Sequence, residues 1–478
     1  MTNKILWKLE WRMASRMASG WIACAVIVVT LLGAAWLSQK WMRVQAQLQE
    51  MARADEVKRL AEQQERINKE LETLKAKGEP LTPVTFSSRH ATSVGHYQAK
   101  RYAMLPTAPL AVLAIGDTDT QPSQFLVSVD PKQFSGESDL HQPLWLRAGR
   151  FDPSFVVAVI FPLLLIAALG APLSSDRGGT LNLLATQGAP LMRVARIRIL
   201  VRGLPITFIT LLTLAVIVGV KHGAAALVSV RFMWLLLALL LYATFWMALV
   251  ALVDAISQNV GTTIIRLIAV WAALVVVIPA MTHATATIIH PVTSRALIEE
   301  TLREAQQEVW DMPREAILTE ARKQYPDINP GASESLEEFM MVQMQRVTME
   351  DQRVQPLLRQ HEAQQQAQAS FVRGTRFLSP VQMLRHALEE SAGAGTGRRA
   401  SFLTQVNGFF HTWQNFFVPR IFHRIPVDDM AATPVFHFQE ESAAQAVQHT
   451  LADVACLLVV TIACAVFAKR QYRLASLV

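Results

Sequence analysis

Apolar residues along this chain are gathered into six blocks, at 20–38, 153–173, 204–220, 232–253, 264–287 and 451–468, with polar sequence filling the gaps between them. Each block is near the roughly 20 residues that a helix needs to cross a hydrocarbon core. The stretch Phe155–Leu173 carries no charge at all. A helix satisfies its own backbone amides and can therefore lie in lipid without unpaired polar groups. The pattern predicts an α-helical integral membrane protein with six transmembrane helices. Two of the gaps, 39–152 and 288–450, are long enough to form large insertions.

Basic residues orient these blocks. Four lie in 1–19 (Lys4, Lys8, Arg12, Arg16), five in 174–203 (Arg177, Arg193, Arg196, Arg198, Arg202) and three in 469–478 (Lys469, Arg470, Arg473). An excess of Lys and Arg in short segments marks the cytoplasmic side, and long segments are exempt from that rule. Both termini and the 174–203 loop are thus predicted to be cytoplasmic, and the two insertions extracytoplasmic. In 1–19 the bases recur every fourth residue beside Ile5, Leu9, Met13 and Met17, which predicts an amphipathic helix lying on an anionic leaflet. A secretory signal peptide is the rival reading. The block at 20–38 is as long as a span and no small-x-small cleavage site follows Trp36, so an uncleaved first span is favoured.

From Lys40 to Lys77 there is neither Pro nor Gly, and Val57, Leu60, Gln64, Ile67, Leu71 and Leu74 alternate spacings of three and four. That is a short coiled-coil-like seam with one polar slot at Gln64. A solvated charged helix is the alternative, but it would not need the apolar stripe. Joined to the first span, the helix would project about 50 Å from the membrane, and Gly78, Pro80 and Pro83 end it. Residues 84–148 read as turns and short strands, with Phe125–Val129 alternating, which makes a small α/β part. In the second insertion, Ser294–Tyr325 and Ser335–Ala369 read as helices able to pack on that seam. The aromatic run Phe402–Phe422 reads either as an interfacial belt or as ordinary core.

Composition sharpens this picture. The 478 residues are 51% hydrophobic but still 17% charged, as expected when polar insertions are joined to apolar spans. The net charge of +7 sits at the flanks of the spans, which is topology rather than nucleic-acid binding. Cys24, Cys456 and Cys464 all fall in apolar runs, so no disulfide framework is implied. No Gly-Lys dipeptide occurs, and hence no phosphate-binding Gly-x-x-x-x-Gly-Lys loop. The spans hold few ionisable groups: Asp254 and Arg266 at inner ends, Asp453 and His283 at or near outer ends. A proton-driven carrier is disfavoured on that ground, and no pair of matching halves is visible. His361-Glu362 lacks the second histidine of a zinc protease motif, and Gly-x-Ser-x-Gly is absent. His411, His423 and His437 match no ligand spacing, so no metal, cofactor or catalytic residue is expected. Pro162, Pro205 and Pro279 are expected to kink their helices.

Between the second and third blocks run Asp176-Arg177-Gly178-Gly179-Thr180-Leu181, a short helix-forming segment and Pro190-x-x-Arg193. This order resembles the first cytoplasmic loop of type-2, export-class ABC transporter permeases, where the loop forms the coupling helix that docks on the ATPase. Tyr102–Gly116, Gln142–Asp152 and Leu378–Phe422 are similar to the branch of that class with large extracytoplasmic insertions. The chain departs from the pattern in its acid, Asp176, and in the extra Gly178. The resemblance implies a permease subunit of the inner membrane that is not itself an enzyme. It implies an ABC ATPase in a partner chain, a second permease copy or paralogue, surrounding lipids and a possible periplasmic partner, with no nucleic acid. Asp176, Arg177, Gly179, Thr180, Leu181 and Leu184 would be the ATPase-coupling residues. Two other readings stay open: a subunit that transmits force to an envelope partner without transport, and a membrane scaffold with no ATPase.

Overall fold

A computed structural model describes residues 3–78, 87–116, 122–129, 151–170, 191–257, 259–324 and 336–475. The chain opens with α1 (Asn3–Arg16) and α2 (Ala18–Lys77), followed by a π-helical turn and a two-stranded antiparallel sheet, β1 (Arg101–Met104) with β2 (Gln124–Val127). Then come α3 (Pro153–Leu169), α4 (Leu191–His222), α5 (Val230–Ile256) and α6 (Val260–Ile289). Helices α7 (Arg295–Trp310), α8 (Arg314–Gln324), α9 (Leu336–Thr375), α10 (Pro380–Ala392) and α11 (Thr396–Phe422) lead to α12 (Ala443–Ala475). Five of these, α2, α4, α5, α6 and α12, are long and apolar enough to cross a membrane, and α3 is apolar but shorter. That is the make-up of a multi-pass α-helical membrane protein.

Several elements extend past the apolar blocks. Helix α2 is a single run of 60 residues, about 90 Å at the usual rise, and stops at Gly78, which takes the left-handed φ of 66°. Helix α4 begins at Leu191, so residues 191–203 of the expected loop are helical. Arginines are good helix formers, and their low hydropathy marks no helix end. Helix α3 stops at Leu169, where Gly170 leaves helical geometry with φ 57°. The coupling residues Asp176, Arg177, Gly179, Thr180, Leu181 and Leu184 lie outside the described residues, as do the outer motif residues 142–150.

Proline reshapes α3 and α6 through their backbone hydrogen bonds. A proline has no N–H to give to the carbonyl four residues earlier. The turn Val156–Ile160, just before Pro162, is a π-helix, and so is Ala273–Val277 before Pro279. Ala158 O, the carbonyl that Pro162 cannot serve, accepts from the Tyr242 hydroxyl at 2.7 Å. Its neighbour Val159 O accepts from Trp271 Nε1 at 3.1 Å, and Leu274 O in α6 accepts from Ser379 Oγ at 2.7 Å. Pro205 sits inside α4 with no such turn.

Outside the apolar bundle, the seam is packed from Leu60 to Leu71, and its two ends, Val57 and Leu74, stay out of the cluster. Ile67 is fully buried and Leu60 and Leu71 partly so, in a cluster with Ala91, Val94, Phe402, Trp413 and Phe417. Val57 is 66% exposed and takes no part. The main partner is the aromatic helix α11 with the segment around Val427–Met430; among the described residues of the expected helix Ser335–Ala369, only Met344 joins the cluster. The aromatic run is therefore domain core. Gln64, the polar slot, clamps a backbone: its Nε2 donates to Asp428 O at 2.9 Å and its Oε1 accepts from Met430 N–H at 2.8 Å. Arg89, itself buried, adds a two-pronged pair to Asp428 at 2.6 and 3.1 Å. Glu70 accepts from both Ser87 and Ser88. Burial pushes the Glu70 carboxyl up, but these hydrogen bonds and nearby Arg89 together outweigh it and hold the group below its ordinary value. The stability this gives is present above the ordinary carboxylate range and is lost as pH falls through the lowered value.

The seam gives a position-specific prediction. Ile67→Asp puts a carboxylate into a dry cluster and should cost about 3–5 kcal/mol, so that limited proteolysis cuts the region readily. Val57→Asp, ten residues earlier on the same helix, should digest like the unaltered protein. Equal protection of the two variants would mean that the seam carries no packing.

Candidate functional site

At the pole of the bundle from which α2 projects, segments far apart in sequence meet around α10. Ser379 is extended, and Pro380 starts the helix where a missing N–H costs nothing. Val381, Leu384, Ala387 and Leu388 of α10 are buried in the same cluster as α3, α5 and α12, so this 13-residue helix is wedged among apolar helices. Gly393 closes it with φ 79° and packs on Pro109, where a Cβ would come within 2.7 Å of the ring. Leu110 N–H donates to Ala392 O at 3.1 Å, and Ser154 N–H to Leu113 O at 2.9 Å. Asp152 ties the same knot: one carboxylate oxygen accepts from Ile115 N–H at 3.0 Å, and the other caps α3 through Phe155 N–H at 2.8 Å. Residues 108–116 thus lie against residues 392–394 and the start of α3.

The charged residues here form one node. Asp453 on α12 is 1% exposed. Arg376 Nε donates to its Oδ1 at 2.5 Å, and His386 Nδ1 lies 2.7 Å from its Oδ2. The other ring nitrogen of His386 faces Glu390, also buried, at 3.8 Å. Glu390 accepts from Gly397 N–H at 3.4 Å. Gly395 lets this carboxylate approach, because a Cβ there would stand 2.1 Å from its carbon. Arg376 is held in turn by its own contact to Arg373 O and by the Phe377 ring, 4.3 Å away. Two carboxylates, an arginine and a histidine therefore bind the segment joining α9 and α10 to a membrane helix.

The opposite pole surrounds the described flanks of the 171–190 stretch. Arg202 Nη1 donates to Leu169 O at 3.2 Å, so the end of α3 and the start of α4 are fixed to each other. Arg198 pairs with the buried Glu10 at 2.7 Å and clamps α1 on α4. Tyr472 of α12 donates to buried Asp254 at 3.0 Å, within a small cluster with Val194, Ala195 and Ala255. Asn259 and Thr262 form a capping box at the start of α6. The sequence marked Asp254 and Asp453 as ionisable exceptions but missed Arg376, His386 and Glu390. The available signal was His386 and Glu390 four apart on a helix opened by Ser-Pro, with one unexplained aspartate in an apolar run.

The node offers no nucleophile beside a base, and among the described residues no group of three or more His, Cys, Asp or Glu could hold a metal. Its chemistry is electrostatic attachment. Residues 295–439, from α7 past α11, match the model of a domain of unknown function (DUF3526). That segment contains Arg376, His386 and Glu390 but not Asp453. No curated protein and no solved structure matches the chain.

Removing one partner of a buried pair leaves the other charge uncompensated, at about 3–5 kcal/mol. Asp453→Asn should therefore lower the thermal unfolding midpoint of the detergent-purified protein. Arg376→Met together with Asp453→Leu should recover more than half of that loss, because neither charge then remains buried alone. A double variant no better than the single would show that the node is not a coupled unit.

Proposed function

We propose that this chain is the membrane-spanning permease subunit of an ATP-driven ABC transporter, with α3 as a sixth, short span. In this reading both termini and the 170–190 stretch face the cytoplasm, the membrane is the inner membrane, and a separate ABC ATPase docks on the stretch around Thr180–Leu184. A second copy or a paralogue completes the pathway. The observation that supports it most directly is the frame formed by the described flanks of residues 171–190. The loop's two anchoring helices are tied by Arg202 to Leu169 O, and α4 carries α1 through Arg198–Glu10. A push on such a loop is delivered to α1, α3 and α4 together. The mostly exposed apolar surface of α6 is left for lipid or for the second subunit.

A second reading, force transmission without transport, is favoured by one feature. Helix α2 runs unbroken from the loop-side pole to the far end of the outer domain, where Ile67 and Gln64 are gripped by the α11 region. Motion of its inner end would reach the outer domain without any hinge within the helix. Both readings share the ATPase, the docking loop and the topology.

Two measurements test the shared part. In a background without Cys24, Cys456 and Cys464, cysteines at Lys58 and Lys323, both well exposed, should react with an impermeant thiol reagent added to the outside of spheroplasts. One at Ser175 should react only after lysis, and labelling of Ser175 in intact spheroplasts would overturn the topology. Candidate ABC ATPases co-expressed with the tagged chain should yield one that copurifies. Leu184→Arg places a charge in the proposed contact and should abolish that copurification while leaving the chain inserted and abundant. Full retention of the ATPase by Leu184→Arg, or no ATPase captured by the unaltered chain, counts against the proposal.

A further inference from the structure

The elbow between α1 and α2 forms a half-open apolar cavity of about 140 Å³ that neither reading uses. Met17 joins the two helices in extended geometry, and Trp21 Nε1 donates back across the bend to Ser15 O at 3.0 Å. The walls come from Ala14 and Met17 at the bend, Gly20 and Cys24 on α2, Ala168 at the end of α3, and Val201–Ile209 on α4. Along α4 the lining runs over nine residues, Val201 to Ile209, about 12 Å. Among the described lining residues Arg202 alone is charged, and it sits toward one end. Its lining is almost wholly apolar, so where it opens to lipid a hydrocarbon chain suits it better than water. Trp11 and Trp21 at its rim are 55% and 63% exposed, and large half-wet aromatics suit the boundary between headgroups and acyl chains.

The charge around the elbow identifies the guest. Lys4, Lys8, Arg12 and Arg16 are all exposed, whereas the single acid of α1, Glu10, is buried against Arg198. The exposed charge of α1 is therefore entirely positive. Arg16 is flanked by two lining residues, Ser15 and Met17. We propose that the cavity is a binding site for a phospholipid with an anionic headgroup: the end of one acyl chain fills the space between Gly20 and Ile209, and the phosphate lies on Arg16, Arg12 and Arg202. An occupied site would hold α1, α2 and α4 together at the pole where the ATPase is proposed to act. The inference rests on these helices crossing a membrane with α1 at its surface, and not on the ATPase.

The whole chain in nanodiscs of zwitterionic phosphatidylcholine provides the test, with a trace of phosphatidylglycerol carrying a photoreactive acyl chain, or of phosphatidylcholine carrying the same chain. Irradiation followed by peptide mass spectrometry should place phosphatidylglycerol adducts on Cys24, Ile206 or Ile209. Excess unlabelled phosphatidylglycerol should displace them and excess phosphatidylcholine should not. A Cβ at Gly20 would meet nothing within 4 Å, so Gly20→Leu and Gly20→Phe have an open start into the cavity they line, and should remove the adducts by filling it. Arg16→Gln should reduce the preference for the anionic lipid about fivefold, the worth of one base near an anionic surface. Equal labelling by both lipids would make the cavity an ordinary boundary site, and either that result, absent adducts, or adducts persisting in a well-folded Gly20→Phe variant overturns the proposal. Because ATPase copurification is read separately, failure here leaves the permease reading standing, and the reverse also holds.

Discussion

A helix in lipid has no water to satisfy a carbonyl that loses its partner, and that constraint governs how this bundle is assembled. Pro162 and Pro279 each remove a donor from an apolar helix. The π turns before them widen the helix and turn carbonyls outward, and the open acceptors draw side chains from neighbouring elements: Tyr242 from α5, Trp271 from α6, Ser379 from the residue before α10. Individual hydrogen bonds between membrane helices contribute only about 0.6 kcal/mol on average. Their larger effect is on register, since sliding one helix past another would leave a buried carbonyl bare. The prolines thus fix where α3, α5 and α6 meet, and the third bond extends the same logic to a segment outside the spans.

That third bond gives α10 its place. Helix α10 lies between the bundle and the domain built on α11, buried against α5 and α12, with Ser379 on α6 at its start and the Asp453 node along its length. A buried ion pair is weak evidence for stability, because the cost of desolvating both charges offsets much of their attraction. Its use here is directional. An apolar wedge of 13 residues could settle in several rotations, whereas Arg376 and His386 reach one carboxylate from either side in only one of them. Gly393, against Pro109, and Gly116, against Ala394, then let motif 102–116 close over the end.

The apolar blocks were legible because burial in lipid needs continuous hydrophobicity, and helix caps such as Gly78 announced themselves by residue type. Helix ends were less legible where charge and helicity part company: Arg193 to Arg202 look like a loop, yet Arg198 is helical and neutralised by Glu10, 188 positions away. The same limit hid the node, whose partners are separated by 67 and 77 residues. Gln64 shows a subtler failure. Its position in the seam was read correctly as polar, but nothing local says that its amide matches a backbone N–H and C=O from the segment around Asp428–Met430. Local periodicity reports which face is buried and is silent about what covers it. For the six expected coupling residues the sequence remains the whole of the argument, since none of them falls among the described residues.

The two poles are joined by elements of different stiffness, and this bears on how movement would pass between them. Helix α2 is continuous, so displacement of its inner end is carried outward whole, to the gripped residues Gln64 and Ile67. Helices α3 and α6 are interrupted by π turns, where hydrogen bonds are already shared with side chains and bending costs less than in a regular helix. Tilting at the loop-side ends of α3 and α6 would therefore be absorbed at their π turns, which are also where Tyr242, Trp271 and Ser379 attach. Helix α10 meets both kinds of element: its start holds α6 through Ser379, and its apolar face is buried with α5 and α12. Its far end joins the 108–116 segment through the Leu110–Ala392 hydrogen bond, the Gly393–Pro109 contact and the side chains of Leu110, Val112 and Leu113, which share one buried cluster with Leu384 and Leu388. Movement carried by α2 and movement at the π turns would therefore meet at α10, where packing and the charged node hold the segments together.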